Sequence, residues 1–208
     1  MNPRPLVVVA TEAERPRLDS VDVLVCGIGK AAAASATAHR LSTGLPEAVV
    51  SFGVAGAYPS SGLRVGDAVV ATEVALLDEG LETGEAFVPF GGAELPVPGA
   101  AWAATDPVLR ERLLIERASE IRVEPGRIGT VSVCAGSSRL ARERERSGAL
   151  CEAMEGAAIA LVAARYGVPF AEVRGISNPC GPRDGAAFDL EAGVSGAHSV
   201  LTKLVSTS

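Results

Sequence analysis

Three places in the chain set acid–base or hydrogen-bonding groups beside small residues. Glu12 and Glu14 follow the apolar run Leu6 to Ala10, in Ala-Thr-Glu-Ala-Glu. Glu155 stands in Met-Glu-Gly-Ala-Ala-Ile-Ala, where an alanine-rich apolar stretch begins. Ser177 and Asn178 close the run from Val168 and lead into Pro-Cys-Gly-Pro-Arg-Asp. Carboxylates, an amide, hydroxyls and backbone N–H groups can together split a bond by acid–base catalysis on water, through an oxocarbenium-like transition state. Each place also has a plainer reading. A helix N-terminus welcomes negative charge, so Glu155 can be a satisfied N-terminal acid. Glu12 and Glu14 can lie on a solvated turn.

Strands and helices must bring these groups together. Leu6–Ala10, Val21–Cys26, Ala48–Phe52, Ala68–Leu77 and Val168–Ser177 read as strands, and Arg122–Cys134 as a strand pair or one strand broken at Pro125-Gly126. Gly-Ile-Gly-Lys turns the second strand into a helix over Ala31–Leu41. Without a third glycine or a following acid this is a weak dinucleotide signal, and a tight packing turn is the preferred reading. Gly53-Val54-Ala55-Gly56-Ala57 reads as a small-residue loop exposing backbone N–H groups after the third strand. Further helices are expected from Asp106-Pro107 to Ser119, over Arg139–Arg146, from Met154 to Tyr166, and over Leu190–Val205, the last weakened by Gly193 and Gly196. The glycine- and proline-rich stretch Asp78–Ala101 reads as a long irregular segment, with Phe87, Phe90 and Trp102 available to cover a pocket or a partner. Strand ends of an open α/β sheet are where ligands bind, and the acids and the Ser-Asn pair fall there.

Bulk composition suits an α/β protein with a full core. The 208 residues are 48% hydrophobic and only 4% aromatic, which suits a sheet of buried aliphatic strands in one domain. The net charge is −6 and no basic block occurs, which disfavours nucleic acid and anionic membranes as partners. Cys26, Cys134, Cys151 and Cys180 are scattered and form no CxxC pair, as expected of reduced thiols in the cytoplasm. Only His39 and His198 are present, so no metal site and no cofactor is expected. No signal peptide and no membrane-spanning run is read.

Six segments in order resemble the purine nucleoside phosphorylase and nucleosidase superfamily, along nearly the whole chain. They are Ala-Thr-Glu-Ala-Glu at 10–14, Gly-Ile-Gly-Lys-Ala-Ala at 27–32, Ser-Phe-Gly-Val-Ala-Gly-Ala at 51–57, Val-Gly-Asp at 65–67, Met-Glu-Gly-Ala-Ala-Ile-Ala at 154–160 and Arg-Gly-Ile-Ser-Asn at 174–178. The resemblance implies a single α/β domain over 1–208 with a central twisted, mixed and mostly parallel sheet flanked by helices. It also implies a purine nucleoside as substrate and a homodimer or larger assembly. By that resemblance Glu14, rather than Glu12, activates water, and Met154 and Glu155 hold ribose. Ser177 and Asn178 meet the purine, and Val133 and Cys134 occupy the base-stacking positions.

Two departures refine the expectation. Adenine-cleaving nucleosidases of the superfamily carry Ser-Asp where this chain has Ser177-Asn178. An amide keeps a permanent NH2 donor, which suits N7 or O6 of a 6-oxopurine, so hypoxanthine is favoured over adenine as leaving base. The phosphorylases surround the Gly53 position with Arg and Ser to bind phosphate, whereas this chain has Ser51, Phe52 and Val54. Water is therefore the expected nucleophile. Val133 and Cys134 are small, which leaves Phe188 as a stacking ring or, equally, a core residue. A phosphorylase, a non-catalytic nucleoside-binding protein and a dinucleotide-dependent oxidoreductase are the competing readings.

Overall fold

Every residue from Leu6 to Val9 is buried, yet the run serves two separate cores. Successive side chains on a strand point to opposite faces. Leu6 and Val8 accordingly enter one apolar cluster and Val7 and Val9 the other. The computed structural model describes residues 4–85, 87–90, 103–115, 121–182 and 188–205. Its elements run β1 (Leu6–Val9), β2 (Asp22–Val25), α1 (Lys30–Ser42), β3 (Val49–Ala57), β4 (Ala68–Leu76), β5 (Gly80–Glu82), β6 (Phe87–Pro89), β7 (Ala103–Ala104), α2 (Pro107–Leu114), β8 (Val123–Thr130), α3 (Ser138–Glu145), β9 (Ala149–Ala153), α4 (Gly156–Arg165), β10 (Phe170–Pro179) and α5 (Leu190–Val205). A 3-10 turn over Glu12–Glu14 follows β1.

The sheet has the order β10-β4-β8-β9-β3-β1-β2, and β10 also pairs with β3. That extra pairing closes β3, β10, β4, β8 and β9 into a ring, with β1 and β2 extending from β3. The expectation of a mostly parallel sheet gives way to a mixed, partly closed one. Parallel pairs (β1–β2, β1–β3, β3–β10, β4–β8, β8–β9) are joined by antiparallel β4–β10 and β3–β9. Closure removes sheet edges that would otherwise present unpaired backbone groups. Helices α1 and α4 supply Ala33, Leu41, Ala157, Ile159, Ala160 and Ala163 to the cluster on one face. Helices α2 and α5 cover the other with Leu109, Leu113, Ala197, Val200, Leu201 and Leu204.

Several boundaries differ from the sequence expectation, each for a local reason. β3 does not stop at Phe52 but runs on through Gly53–Ala57, paired to β10 along its length. The glycines there admit neighbours instead of making a loop. β8 passes through Pro125-Gly126 as one strand. β9, with Glu152 near its centre and no β-branched residue, was absent from the expectation. The start of the segment expected to be irregular forms the hairpin β5–β6, while Trp102 lies outside the described residues. Helix α2 ends at Leu114 with Ile115 as its C-cap, and the remainder of the expected helix, 116–119, is likewise outside them. Among the described residues no helix is long and apolar enough to cross a membrane.

Candidate active site

The 3-10 turn separates the two acids that follow β1. Glu12 points outward and pairs with Arg15 at 2.7 Å, with its side chain 70% exposed. Glu14 is buried, 5% exposed, beneath β3. Its Oε1 accepts the Val54 N–H at 3.1 Å, and its Oε2 accepts the Thr11 N–H and hydroxyl, each at 3.1 Å. The carboxylate is thus aimed by groups from two elements before any ligand is present. Gly53 makes room for it. A methyl group at that position would overlap Glu14 Oε1 and come within 2.8 Å of Arg174 Nη1.

Glu155 sits at the N-cap of α4, yet its side chain accepts no hydrogen bond from its own helix. It reaches across instead. Gly29, at φ +91° in the turn before α1, donates its N–H to Glu155 Oε1 at 3.0 Å, and Arg174 Nη2 lies 3.4 Å from Oε2. A left-handed backbone at that turn favours glycine. The Gly-Ile-Gly segment, read as a packing turn, therefore also helps hold a carboxylate at the site. The reading of Glu155 as an acid satisfied by its own helix does not describe this geometry.

Arg174, which opens the Arg-Gly-Ile-Ser-Asn segment, lies between these carboxylates. It is 1% exposed, in the middle of β10. Nε donates to Glu172 at 2.7 Å, Nη2 to the Ser51 hydroxyl at 2.9 Å, and Nη1 to the Val54 carbonyl at 3.5 Å. Burial alone would lower the guanidinium's affinity for its proton, but Glu172, Glu155 and Glu14 outweigh it and raise it. One cation thus faces three carboxyl groups. Isolated buried charge is expensive, and Glu172 shows the cost. Burial pushes the Glu172 carboxyl above the usual carboxylate range, with Arg174 opposing and Glu155 reinforcing. Glu172 is fully buried against Gly156, where an added methyl group would overlap both carboxylate oxygens. The glycine of Met-Glu-Gly is accounted for by that approach. Met154 is half-buried at the β9–α4 junction, beside this cluster in sequence.

Asn178 lies further along the same pair of strands. In the β3–β10 register Arg174 faces Gly53 and Asn178 faces Gly56, with the register shifting between Ile176 and Asn178 so that Ser177 has no partner. Such a bulge re-aims side chains next to functional sites. At about 3.3 Å of rise per residue, the three steps from Gly53 to Gly56 span roughly 10 Å. Ser177 Oγ donates to Asn178 Oδ1 at 2.9 Å, and Asn178 Nδ2 donates to the Pro179 carbonyl at 3.0 Å. Among the described residues these partners leave one N–H of Nδ2 for a ligand. Asn178 lines a cleft with Gly56, Cys134, Ala135, Glu152, Cys180 and Phe188. Phe188 is 50% exposed there and is not a core residue. Val133 is 63% exposed, and its carbonyl accepts from Arg144. A larger groove, beside Arg15, Arg17 and Arg40 along β2, contains none of the expected site residues.

The geometry joins Glu14, Gly53, Val54 and Glu155 around Arg174, and sets Asn178, Ser177, Cys134 and Phe188 at the next stretch of β3 and β10. Ser51, Glu172 and Glu152 were not foreseen. The sequence signal for Glu172 was a charge inside an otherwise apolar run, and Arg174 opens the Arg-Gly-Ile-Ser-Asn segment.

Residues 10–206 match the family described as the Phosphorylase superfamily, and the chain belongs to it. Within that superfamily it is 36% identical over 207 residues to futalosine hydrolase of Streptomyces coelicolor, covering 93% of this chain and 85% of that protein. A 5'-methylthioadenosine/S-adenosylhomocysteine nucleosidase of a Geobacillus species is 32% identical over 93% of this chain and 83% of its own length. The fold superposes on the nucleosidase from Neisseria meningitidis, solved with methylthio-immucillin-A, with a TM-score of 0.83 over 99% of each chain at 24% identity. With relatives of this kind over most of its length, the chain is an enzyme of the N-glycosyl hydrolase class.

Proposed function

We propose that the protein hydrolyses the N-ribosidic bond of futalosine, releasing hypoxanthine and dehypoxanthine futalosine, a step of menaquinone biosynthesis. The observation that carries this reading is the convergence of Glu14 and Glu155 on Arg174, with Asn178 roughly 10 Å further along the same strands. That span suits a sugar at one end and a purine at the other. Glu14 takes a proton from water as the water oxygen bonds to C1' of the ribose. Glu155 accepts hydrogen bonds from ribose hydroxyls, for which an ionised carboxylate is a strong partner. The C1'–N9 bond breaks with its electron pair going to the purine. Asn178 stabilises that charge by donating Nδ2–H to N7 or O6, and the departing base takes its proton from solvent. An amide offers no proton of its own, which favours a 6-oxopurine over adenine as leaving group.

Water is favoured over phosphate because the Val54 N–H, a natural anion donor, is already engaged by Glu14. A phosphate there would also face the Glu14 and Glu155 carboxylates. The test is purified protein with futalosine, inosine and methylthioadenosine, each with and without phosphate, read by chromatography of the released base. Hypoxanthine from futalosine at a rate indifferent to phosphate is the expected result. Release that requires phosphate and yields a sugar 1-phosphate selects a phosphorylase. Adenine from methylthioadenosine as the preferred product overturns the leaving-base argument, and tight binding without turnover selects a binding protein.

A further inference from the structure

Glu152 takes no part in the chemistry just described, yet it stands in the wall of the cleft that holds Asn178. It is 4% exposed. An ionised carboxylate offers about four lone-pair positions. The Ala135 N–H donates to Oε1 at 2.5 Å, and the Tyr58 hydroxyl and Arg144 Nη1 donate to Oε2 at 2.8 and 3.0 Å. The Cys180 thiol lines the same cleft. A thiol is a weak donor. Among the described residues three strong donors anchor the carboxylate, which leaves about one lone-pair position for a donor from the cleft.

The proposed leaving base carries such a donor. A 6-oxopurine has a lactam N1–H beside O6, whereas adenine presents a bare N1 lone pair at that position. Resting on the purine-nucleoside reading above, we infer that Glu152 determines base specificity by accepting the lactam N1–H of a 6-oxopurine, while Asn178 donates to the O6/N7 side. The arrangement rejects adenine, because an N1 lone pair against a carboxylate leaves both buried acceptors without a proton between them. Arg144, whose side chain is 10% exposed, supplies the counter-charge from behind the cleft wall.

Calorimetry with free bases tests this without requiring turnover. Hypoxanthine, 1-methylhypoxanthine and adenine are titrated into the full-length protein and into Glu152→Gln and Tyr58→Phe. The wild type should bind hypoxanthine at least about tenfold more tightly than either other base. Glu152→Gln should lose at least about tenfold of the hypoxanthine-over-adenine preference. Tyr58→Phe, which loosens the anchor but leaves the carboxylate in the wall, should lower Tm and keep the preference. Equal binding of hypoxanthine and adenine by the wild type overturns the inference even if Glu152→Gln does not fold. So does a Glu152→Gln protein that discriminates as the wild type does, since Glu152 is then only an anchor. If none of the bases binds, the nucleoside reading falls with it; if all bind alike, that reading stands and only the role of Glu152 is lost.

Discussion

The Glu14 carboxylate is held by Val54 on one oxygen and by Thr11 on the other, so its direction is set by main chain. Pre-aimed groups need no reorganisation when charge develops, which is what a general base requires. Glu14→Gln keeps the size and one accepting oxygen but cannot take a proton. It should lower kcat by about a hundredfold or more while leaving affinity for a non-hydrolysable nucleoside analogue within a few-fold. Chromatographic rates and calorimetry measure the two quantities, and a variant turning over near the wild-type rate would remove Glu14 from the chemistry. At this scale the sequence was partly legible. Residues at strand ends, such as Glu14 and Asn178, announce themselves because a polar group interrupts an apolar run. Arg174 and Glu172 do not, because a buried pair inside a strand reads as an exception until its partners, from β3 and the start of α4, are known.

The turn that carries Ser132, Val133 and Ala135 shows how an element is fixed by charges behind it. Asp78 accepts the Ser132 N–H at 2.5 Å and Lys30 Nζ at 2.6 Å, Arg144 holds the Val133 carbonyl, and Glu152 holds the Ala135 N–H. Burial would raise the Asp78 carboxyl, but Lys30, Ser132 and Arg144 together hold it below its ordinary value of 3.8. A carboxylate lowered in the folded state contributes stability above its unfolded pKa, and that contribution is lost as pH falls through the lower, folded value. Asp78→Asn should therefore cost about 1–2 kcal/mol at pH 7, as expected for a charge-assisted hydrogen bond. The difference from wild type should shrink as pH falls below 3.8. Urea titrations across that range check it, and a deficit independent of pH would mean that packing, not charge, is lost. None of this turn's support could be read from sequence, since Asp78, after β4, is remote from Arg144 and Glu152 until β4, β8 and β9 pair.

At the scale of the whole molecule, closure of the sheet is the feature least legible in a one-dimensional pattern. Apolar runs located most strands, but nothing within β10 says that one edge meets β3 and the other β4. The closing helix shows the same limit. Its span agrees with expectation, but Gly196, read as a weakness of α5, is a contact. A methyl group there would overlap the Gly66 carbonyl and meet the Asp67 carbonyl at 3.2 Å. That backbone cannot easily retreat, because Gly66 N–H donates to the Ile176 carbonyl at 2.9 Å and Ile176 N–H to the Asp67 carbonyl at 2.8 Å. Two effects then oppose each other in Gly196→Ala. Helix propensity favours alanine by about 1 kcal/mol. Forcing a methyl group into filled space typically costs about 1–3 kcal/mol, occasionally more. The carbonyl it meets is tied into β10, so overpacking should win and the variant should be less stable by about 1–2 kcal/mol net. Because β10 also carries Arg174 and Asn178, the displacement should raise KM as well as lower Tm. Thermal unfolding by circular dichroism, with steady-state kinetics on the same preparation, decides the matter. A Gly196→Ala protein more stable than wild type, with unchanged KM, would show that α5 does not press on the site-bearing strand.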